Sequence, residues 1–475
     1  MRRTVILSDV HLSQAHPETD GDERWMRYRR RAFHPDPDFA TLVDQLLSTY
    51  PADSFELVFN GDVLDYDAPW VKDGKSSFDE FPLTEDGCAE QTQRLLDDHP
   101  VWVNATAKML LHGHRVMFLC GNHDIELVWP KVRTTIFNHL VYHWQRLWDE
   151  ATANQKTDGL FSPSKSPEDK IRFRAWFHVT EDRIYLEHGS QYDHLNGVRH
   201  AILPYTKDRT RIHPIFGKQA FKRTGSRMGY FNPYYEETFY MGFWGYLTHF
   251  LTHYATSDRH IFRTWAGGML RTAWEIWSHR HTEDWSDEVV ELAAKETGAT
   301  RSAILETHAL TVASGENTML PLLREAWLDR MGLFVFILLV VLGAFMLGGS
   351  KGALYTGGAL FVLFILYEIV TPKPDLRTYD SAPPTVKRLW DIHNARAICM
   401  GHTHRPFSIW EEGHFYGNSG AWCPAFRDQA CTEPVLDGRP FLMLWSDDST
   451  LYGGLHWLRK GVITVDPEGV KTDPE

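Results

Sequence analysis

Short apolar runs with almost no alternation recur along the first part of the chain: TVIL at 4–7, FELVF at 55–59, RVMFLC at 115–120 and RIYLE at 183–187. Runs of this length predict strands. Between the first two, Phe39, Leu42, Val43, Leu46 and Leu47 recur at helical spacing, and a long helical stretch is predicted from Glu90. Strand and helix in alternation predict an α/β fold. A fifth run, ARAICM at 395–400, is separated from the fourth by enough chain to form a domain of its own.

The intervening chain reads as an insertion, so the expected division is a core in two parts, 1–195 and 390–475. Between them come an aromatic, mostly helical cap at 196–330, an apolar pair of helices at 331–370 and a Pro-rich linker at 371–389. Residues 331–349 and 353–370 contain no charge except Glu368. A span of roughly 20 such residues crosses a bilayer's hydrocarbon layer, and the connector Gly349-Ser350-Lys351-Gly352 forces an antiparallel hairpin. Arg324, Arg330, Lys373, Arg377, Lys387 and Arg388 flank the pair, against Lys351 alone in the turn. That asymmetry predicts a membrane protein with its flanks, and hence the core, facing the cytoplasm.

Composition narrows the function classes. With 43% hydrophobic and 23% charged residues the chain has the makings of a large folded core rather than a disordered one. A net charge of -13 argues against a nucleic-acid partner, because phosphate backbones are held by clustered Lys and Arg. The five cysteines show no paired short spacing, which excludes a disulfide framework or a zinc ribbon. Met1-Arg2-Arg3 leads into too short an apolar run for a secretory signal, so a reducing cytoplasm is expected. No protein partner is inferable.

The chemistry lies where the apolar runs end. Each is followed within a residue or two by a group able to bind a metal: Asp9 and His11, Asp62, Asn122, His188, then His402 and His404. Ligands collect beyond the carboxyl ends of α/β strands, so five segments are expected to deliver these groups to one crevice. Gly61, Gly121, Gly189 and Gly401 stand where tight strand exits are needed. Carboxylate, imidazole and amide donors without thiolate suit two divalent ions, Mn before Fe, Zn or Mg. Such a pair, roughly 4 Å apart, both generates a nucleophile and neutralises a transferring phosphoryl group.

The ordered motifs Asp9-Val10-His11, Gly61-Asp62-Val63-Leu64-Asp65, Gly121-Asn122-His123-Asp124, His188-Gly189 and Gly401-His402-Thr403-His404 resemble those of the calcineurin-like metallophosphoesterases. The resemblance covers about 1–195 and 390–460. It implies a layered β-sheet core flanked by helices. It also implies one metal on Asp9, His11 and His404, another on Asn122, His188 and His402, and Asp62 between them. His123 would then be the catalytic group that meets substrate, with catalytic Asp124 orienting its imidazole. SDVHL, GHTHRP and YGNSGAW are also similar to the bacterial UDP-2,3-diacylglucosamine pyrophosphatases, although that subgroup usually has Arg at the place of His123 and a far smaller cap.

Two basic stretches adjoin these strand ends, RWMRYRRR at 24–31 and the segment 199–227, which carries eight cations against Asp208. They predict phosphate contacts from Arg29, Arg30 and Arg199, with a solvated charged face as the plain alternative. His249 and His253 stand four apart, but Phe250 occupies the place where a metalloprotease helix needs Glu. The expected function is hydrolysis of a phosphate ester or pyrophosphate bond on a small-molecule or lipid substrate held at the membrane through 331–370. The alternatives are a phosphodiesterase or phosphomonoesterase on soluble nucleotides, and a membrane scaffold with a structural metal.

Overall fold

The computed structural model describes residues 2–18, 27–78, 80–151, 167–198, 200–206, 208–228, 234–235, 245, 248–249, 251–252, 261–278, 286–312, 324, 328–371, 382–447 and 450–467. Arg24, Arg199 and His253, together with most of the aromatic segment, lie outside these. The strands are β1 (Arg3–Leu7), β2 (Phe55–Asn60), β3 (Trp70–Lys72), β4 (Lys75–Ser77), β5 (Arg115–Leu119), β6 (Ile171–Arg174), β7 (His178–Val179), β8 (Ile184–Leu186), β9 (Ala397–Met400), β10 (Phe407–Glu411), β11 (His414–Asn418), β12 (Arg439–Ser446), β13 (Leu451–Arg459) and β14 (Val462–Val465).

The five apolar runs form β1, β2, β5, β8 and β9, but they divide between two sheets. The first has seven strands in the order β14-β13-β12-β1-β2-β5-β6, and the second five in the order β10-β11-β9-β8-β7. β1, β2 and β5 run parallel, as do β8, β9 and β11. Their side chains alternate between two cores. Ile6, Val58, Met117 and Leu119 pack against Ile184, Leu186, Ala397 and Cys399 of the second sheet. Val5, Leu7, Leu57, Phe59, Val116 and Phe118 join a core with Phe39, Leu42, Leu46, Trp102 and Met109. Both faces are therefore covered, which is why these strands carry no polar stripe.

The helices α1 (Asp36–Thr49), α2 (Glu85–Asp98), α3 (Pro100–Leu111) and α4 (Pro130–Glu150) form the outer layer. The single long helix expected from Glu90 is two, because Pro100 has no N–H to continue a helix but starts one readily. In the same way Pro384 opens a helix, Pro384–His393, inside the stretch expected as linker. All five cysteines are buried and free.

Between β8 and β9 the described residues are largely helical: Phe216–Ala220 with a π-helical turn at Phe221–Gly225, then Ile261–Ser278, Asp287–Thr297 and Arg301–Leu310. A further helix, Leu328–Val370, departs from helical geometry only at Gly349, where φ is 64° and ψ is -160°. It is the one described helix long and apolar enough to cross a membrane, with a mean hydropathy of 2.6 over its most apolar 18 residues. Its apolar side chains face outward, Met346 at 77% and Leu347 at 94% exposure. That surface has no cover from the described residues, which favours membrane association over a buried place in a soluble core. The Arg330 guanidinium reaches Glu368 at 2.7 Å, and the Tyr367 hydroxyl donates to Asp329 at 2.6 Å.

Candidate metal centre and its flanking groups

The strand ends of the two sheets are tied together by one side chain. Asn60, the last residue of β2, donates from Nδ2 to the Glu187 carbonyl at 2.8 Å and to the Cys399 carbonyl at 3.2 Å. The loops beyond then cross-link: Asp9 N to Gly61 O at 3.1 Å, His11 N to Asp62 O at 3.0 Å, and Gly401 N to His188 O at 2.9 Å. Turning back into the crevice so soon after a strand forces unusual backbone. Asp9, His11, Asp62, His402 and His404 all take positive φ, between 50° and 68°. Such angles are uncommon in residues with a Cβ and cluster where function requires them.

Space is made by glycine. A Cβ on Gly121 would overlap the Asp62 carboxylate, and one on Gly61 would overlap the His188 ring. These two positions are glycine because a metal-facing side chain occupies the volume.

The sequence-expected ligands of four of the five segments converge. Asp9 Oδ1 lies 3.2 Å from His404 Nε2 and 3.9 Å from both His11 Nε2 and His188 Nε2. Asp62 Oδ2 lies 3.1 Å from His188 Nε2 and 3.9 Å from His11 Nε2. Ligand atoms of Asp9, His11 and His404 fall within one ion's reach, and so do those of Asp62, His188 and His402.

Outer partners set which atoms face inward. His188 Nδ1 is 2.9 Å from the Asn60 carbonyl and His404 Nδ1 is 3.4 Å from the Tyr234 carbonyl, which leaves each Nε2 toward the centre. His402 Nε2 is 3.0 Å from Asp193, which leaves Nδ1. Asn122 donates its amide to Asn196 at 3.4 Å, which frees its oxygen. This is how a protein fixes imidazole tautomers for a metal.

The donors fit a pair of divalent ions on a direct test. Asp9 Oδ1, His11 Nε2, Asn122 Oδ1 and His188 Nε2 are buried and have no hydrogen-bond partner. Leaving a buried polar atom without a hydrogen bond costs about 1–3 kcal/mol, a cost that bound cations would remove. Electrostatics agree. Burial would raise the Asp9 pKa, but His188 and His404 pull it down to about 2, and Asp62 is likewise held well below its ordinary value, chiefly by His188. Burial would lower His188, but Asp62 and Asp9 raise it to about 10. His11 is lowered to about 4, by burial first and then by His123.

His123 stands at the edge of the centre with a ring 22% exposed, and its partner is not the expected one. Its Nδ1 lies 2.9 Å from Asp67 and 3.6 Å from Asp65. Asp124 instead accepts backbone N–H groups, from Val63 at 2.7 Å, Leu64 at 3.4 Å and Gly121 at 2.6 Å. It fastens the second motif to the third and does not orient the imidazole. Burial would lower the pKa of His123, but Asp62, Asp65 and Asp67 hold it well above the ordinary value.

The basic stretches are divided: among the described residues Arg29, Lys218, Lys222 and Arg223 are buried, whereas Arg27, Arg31, Arg209, Arg211 and Arg227 are exposed. Arg29 is buried and donates to the Gln14 carbonyl at 3.0 Å and to the Pro69 carbonyl. It props two loops, so it is not a substrate contact. Arg30 is half-buried on the same turn, with its backbone N–H on Arg27. In the second stretch, Lys218 is buried against Glu126 at 2.8 Å and Asp67 at 3.4 Å. Arg223 is bound to Glu80 at 3.0 Å and to Glu275 at 2.5 Å. Arg199 lies outside the described residues.

Sequence reasoning passed over three groups that shape the centre, Asp67, Asp193 and Tyr234, and read Lys218 only as one cation of a basic stretch. Tyr234 is buried, donates to Asp65 at 2.7 Å and lies 4.7 Å from the His11 ring, centre to centre. Only Asp67, two residues past the second motif, offered a sequence signal.

A two-sheet sandwich that gathers imidazoles, carboxylates and an amide at parallel strand ends, with an exposed-edge histidine alongside, defines a metal-dependent phosphoesterase. Residues 2–220 match the family described as calcineurin-like phosphoesterase. The family works with a divalent metal pair. His402 and His404 lie beyond the matched span and join the centre through the second sheet. No curated protein matches the chain. Vacuolar Protein Sorting 29 from Cryptosporidium parvum, a solved structure, is similar at 20% identity over 18% of this chain and 43% of that one, with a TM-score of 0.15. The chain thus spans under half the length of that relative.

Proposed function

We propose that this chain hydrolyses a phosphate ester or pyrophosphate bond of a membrane-linked substrate, at a two-metal centre facing the cytoplasm. The observation that carries the two-metal reading is the presence of two ligand groups, Asp9 with His11 and His404 and Asp62 with His188 and His402, each within one ion's reach. Asp9, His11 and His404 would hold one ion, and Asn122, His188 and His402 the other, with Asp62 shared. Oxygen and nitrogen donors without thiolate favour Mn, with Fe, Zn and Mg as the other ions of that class. When bound, the pair supplies Lewis acidity toward the phosphoryl oxygens and water acidic enough to attack at neutral pH.

The protein's own contribution falls to His123. Asp67 fixes Nδ1, so Nε2 is the atom that meets substrate, and three carboxylates favour the imidazolium. Nε2 therefore carries the proton that the leaving oxygen needs as its bond to phosphorus breaks.

The membrane reading rests on the helix Leu328–Val370, taken as two arms folded back at Gly349. Arg330 on Glu368, Tyr367 on Asp329, and Val341 opposite Gly357 support that arrangement. Each arm of about 20 residues rises roughly 30 Å, the thickness of the hydrocarbon layer. An anchor of this kind confines the centre to the bilayer surface, where a lipid-linked substrate is concentrated.

The test is metal removal and refilling with Mn²⁺, followed by hydrolysis of phosphomonoester, phosphodiester and lipid pyrophosphate substrates beside an Asp62→Asn variant. Restored activity in the wild type alone is expected, with the lipid substrate preferred in nanodiscs. No stoichiometric metal uptake would refute the centre. Equal rates on soluble and lipid substrates would refute the membrane role.

A further inference from the structure

A cavity of about 230 Å³ opens beside the metal centre and is not used by any role assigned above. One wall is the segment that joins β11 to β12. It is stiffened by hydrogen bonds from Val435 N to Ala425 O at 3.0 Å and from Arg427 N to Glu433 O at 2.8 Å. Pro424, Ala425, Phe426, Val435 and Leu436 give that wall an apolar lining. His404 and Tyr234 line the cavity as well, and both also belong to the metal centre, through Asp9 and Asp65. Away from them the lining carries two cations, Arg439, which is engaged by Asp38 at 2.8 Å and by the Trp422 carbonyl at 2.8 Å, and the exposed Lys460, so the apolar side chains form the wall nearest the β11–β12 segment.

We infer that this cavity is a specificity subsite for an apolar substituent, alkyl or aryl, of the phosphate ester whose phosphoryl group lies at the metals. The inference rests on the phosphoesterase reading and adds the chemical class of the substrate. Shared residues decide the occupant: because His404 belongs to both the cavity and the centre, a substituent on the phosphoryl group would extend past it into the cavity, whereas a charged or sugar-like group would lose its hydration against five apolar side chains. Size limits it. Pockets for whole drug-sized ligands run from roughly 300 to 1,000 Å³, so this one accepts an arm of a substrate and not all of it. Each methylene that enters an apolar site strengthens binding by about three- to fourfold.

The experiment uses the full chain in nanodiscs, loaded with Mn²⁺. Methyl- and butylphosphonate binding is measured by calorimetry, and kcat/KM is measured for the methyl and butyl diesters of 4-nitrophenyl phosphate. In the wild type, butyl is expected to exceed methyl on the order of 30-fold in both measurements, from three added methylenes. Ala425→Trp and, separately, Val435→Trp fill the cavity from half-buried positions outside the metal centre. Each is expected to bring the ratio close to one while the methyl compounds bind and react as in the wild type. A wild-type ratio near one, or an undiminished ratio in both variants, overturns the subsite and leaves the phosphoesterase reading standing. Absence of any hydrolysis or phosphonate binding by the loaded wild type overturns that reading and the subsite together.

Discussion

Replacing Lys218 with Met removes the ammonium from a buried cluster and leaves Glu126 and Asp67 without it. The Lys218 side chain is 4% exposed, Glu126 1% and Asp67 0%, with contacts of 2.8 Å to Glu126 and 3.4 Å to Asp67 and a hydrogen bond of 2.9 Å to the His123 carbonyl. Breaking a buried pair from one side costs about 3–5 kcal/mol, because the remaining charge keeps its desolvation penalty. That is roughly a 10²- to 10⁴-fold loss in the folding equilibrium. Methionine preserves the length and most of the packing, so the loss is electrostatic. Burial already raises the Glu126 pKa, and with the ammonium gone its carboxyl takes up a proton more readily still. The penalty is therefore largest near pH 8 and shrinks toward pH 5. Urea unfolding of the full chain in detergent, followed by tryptophan fluorescence, measures it. Adding Glu126→Gln is expected to recover about 1–3 kcal/mol, the coupling of groups in direct contact. A loss under about 1 kcal/mol at pH 8, or no recovery in the double variant, would refute the argument.

Other consequences can be checked independently. Gly121→Ala pushes a methyl group into the Asp62 carboxylate, and bound metal measured by mass spectrometry should fall below half of the wild-type content while the fold survives. Asp67→Asn weakens the hold on His123 Nδ1, so kcat should drop about 10²-fold for alkyl esters and far less for 4-nitrophenyl esters, whose leaving group needs no proton; equal losses would point to a purely structural role. His114, His178 and His393 are held neutral by burial, at about 3, 4 and 4. Their folded pKa values are depressed, so the stability they allow is present above about pH 6.5 and is lost as pH falls toward 4, by up to about 4 kcal/mol per unit for three protons. Melting temperatures between pH 7 and 5 test this, and a flat profile would contradict it.

The strands, the glycines beside them and the donor groups at their ends were legible because each depends on local order: a buried run, a tight exit, then a donor. Repetition of that unit five times needs no knowledge of the fold. The contacts among the units were not legible. The five strands lie in two sheets, and Asn60, at the end of one, is what draws the ends of the other close. Asp124 adjoins His123 in the chain, yet the turn aims its carboxylate at backbone N–H groups, and Asp67 from a different loop meets the imidazole.

The cations of the segment 199–227 illustrate the same limit in electrostatics. Counted along the chain they form a basic patch, but Lys218 and Arg223 are matched by acids 92 and 143 residues away. Sequence by itself determined which residue types stand at the strand ends and which stretch is apolar enough to leave water, because those follow from spacing and composition. Only the tertiary structure decided which acid meets which base and where an apolar cavity opens, because side chains far apart in sequence become partners only when packing brings them within a few ångströms, where burial makes each pairing count.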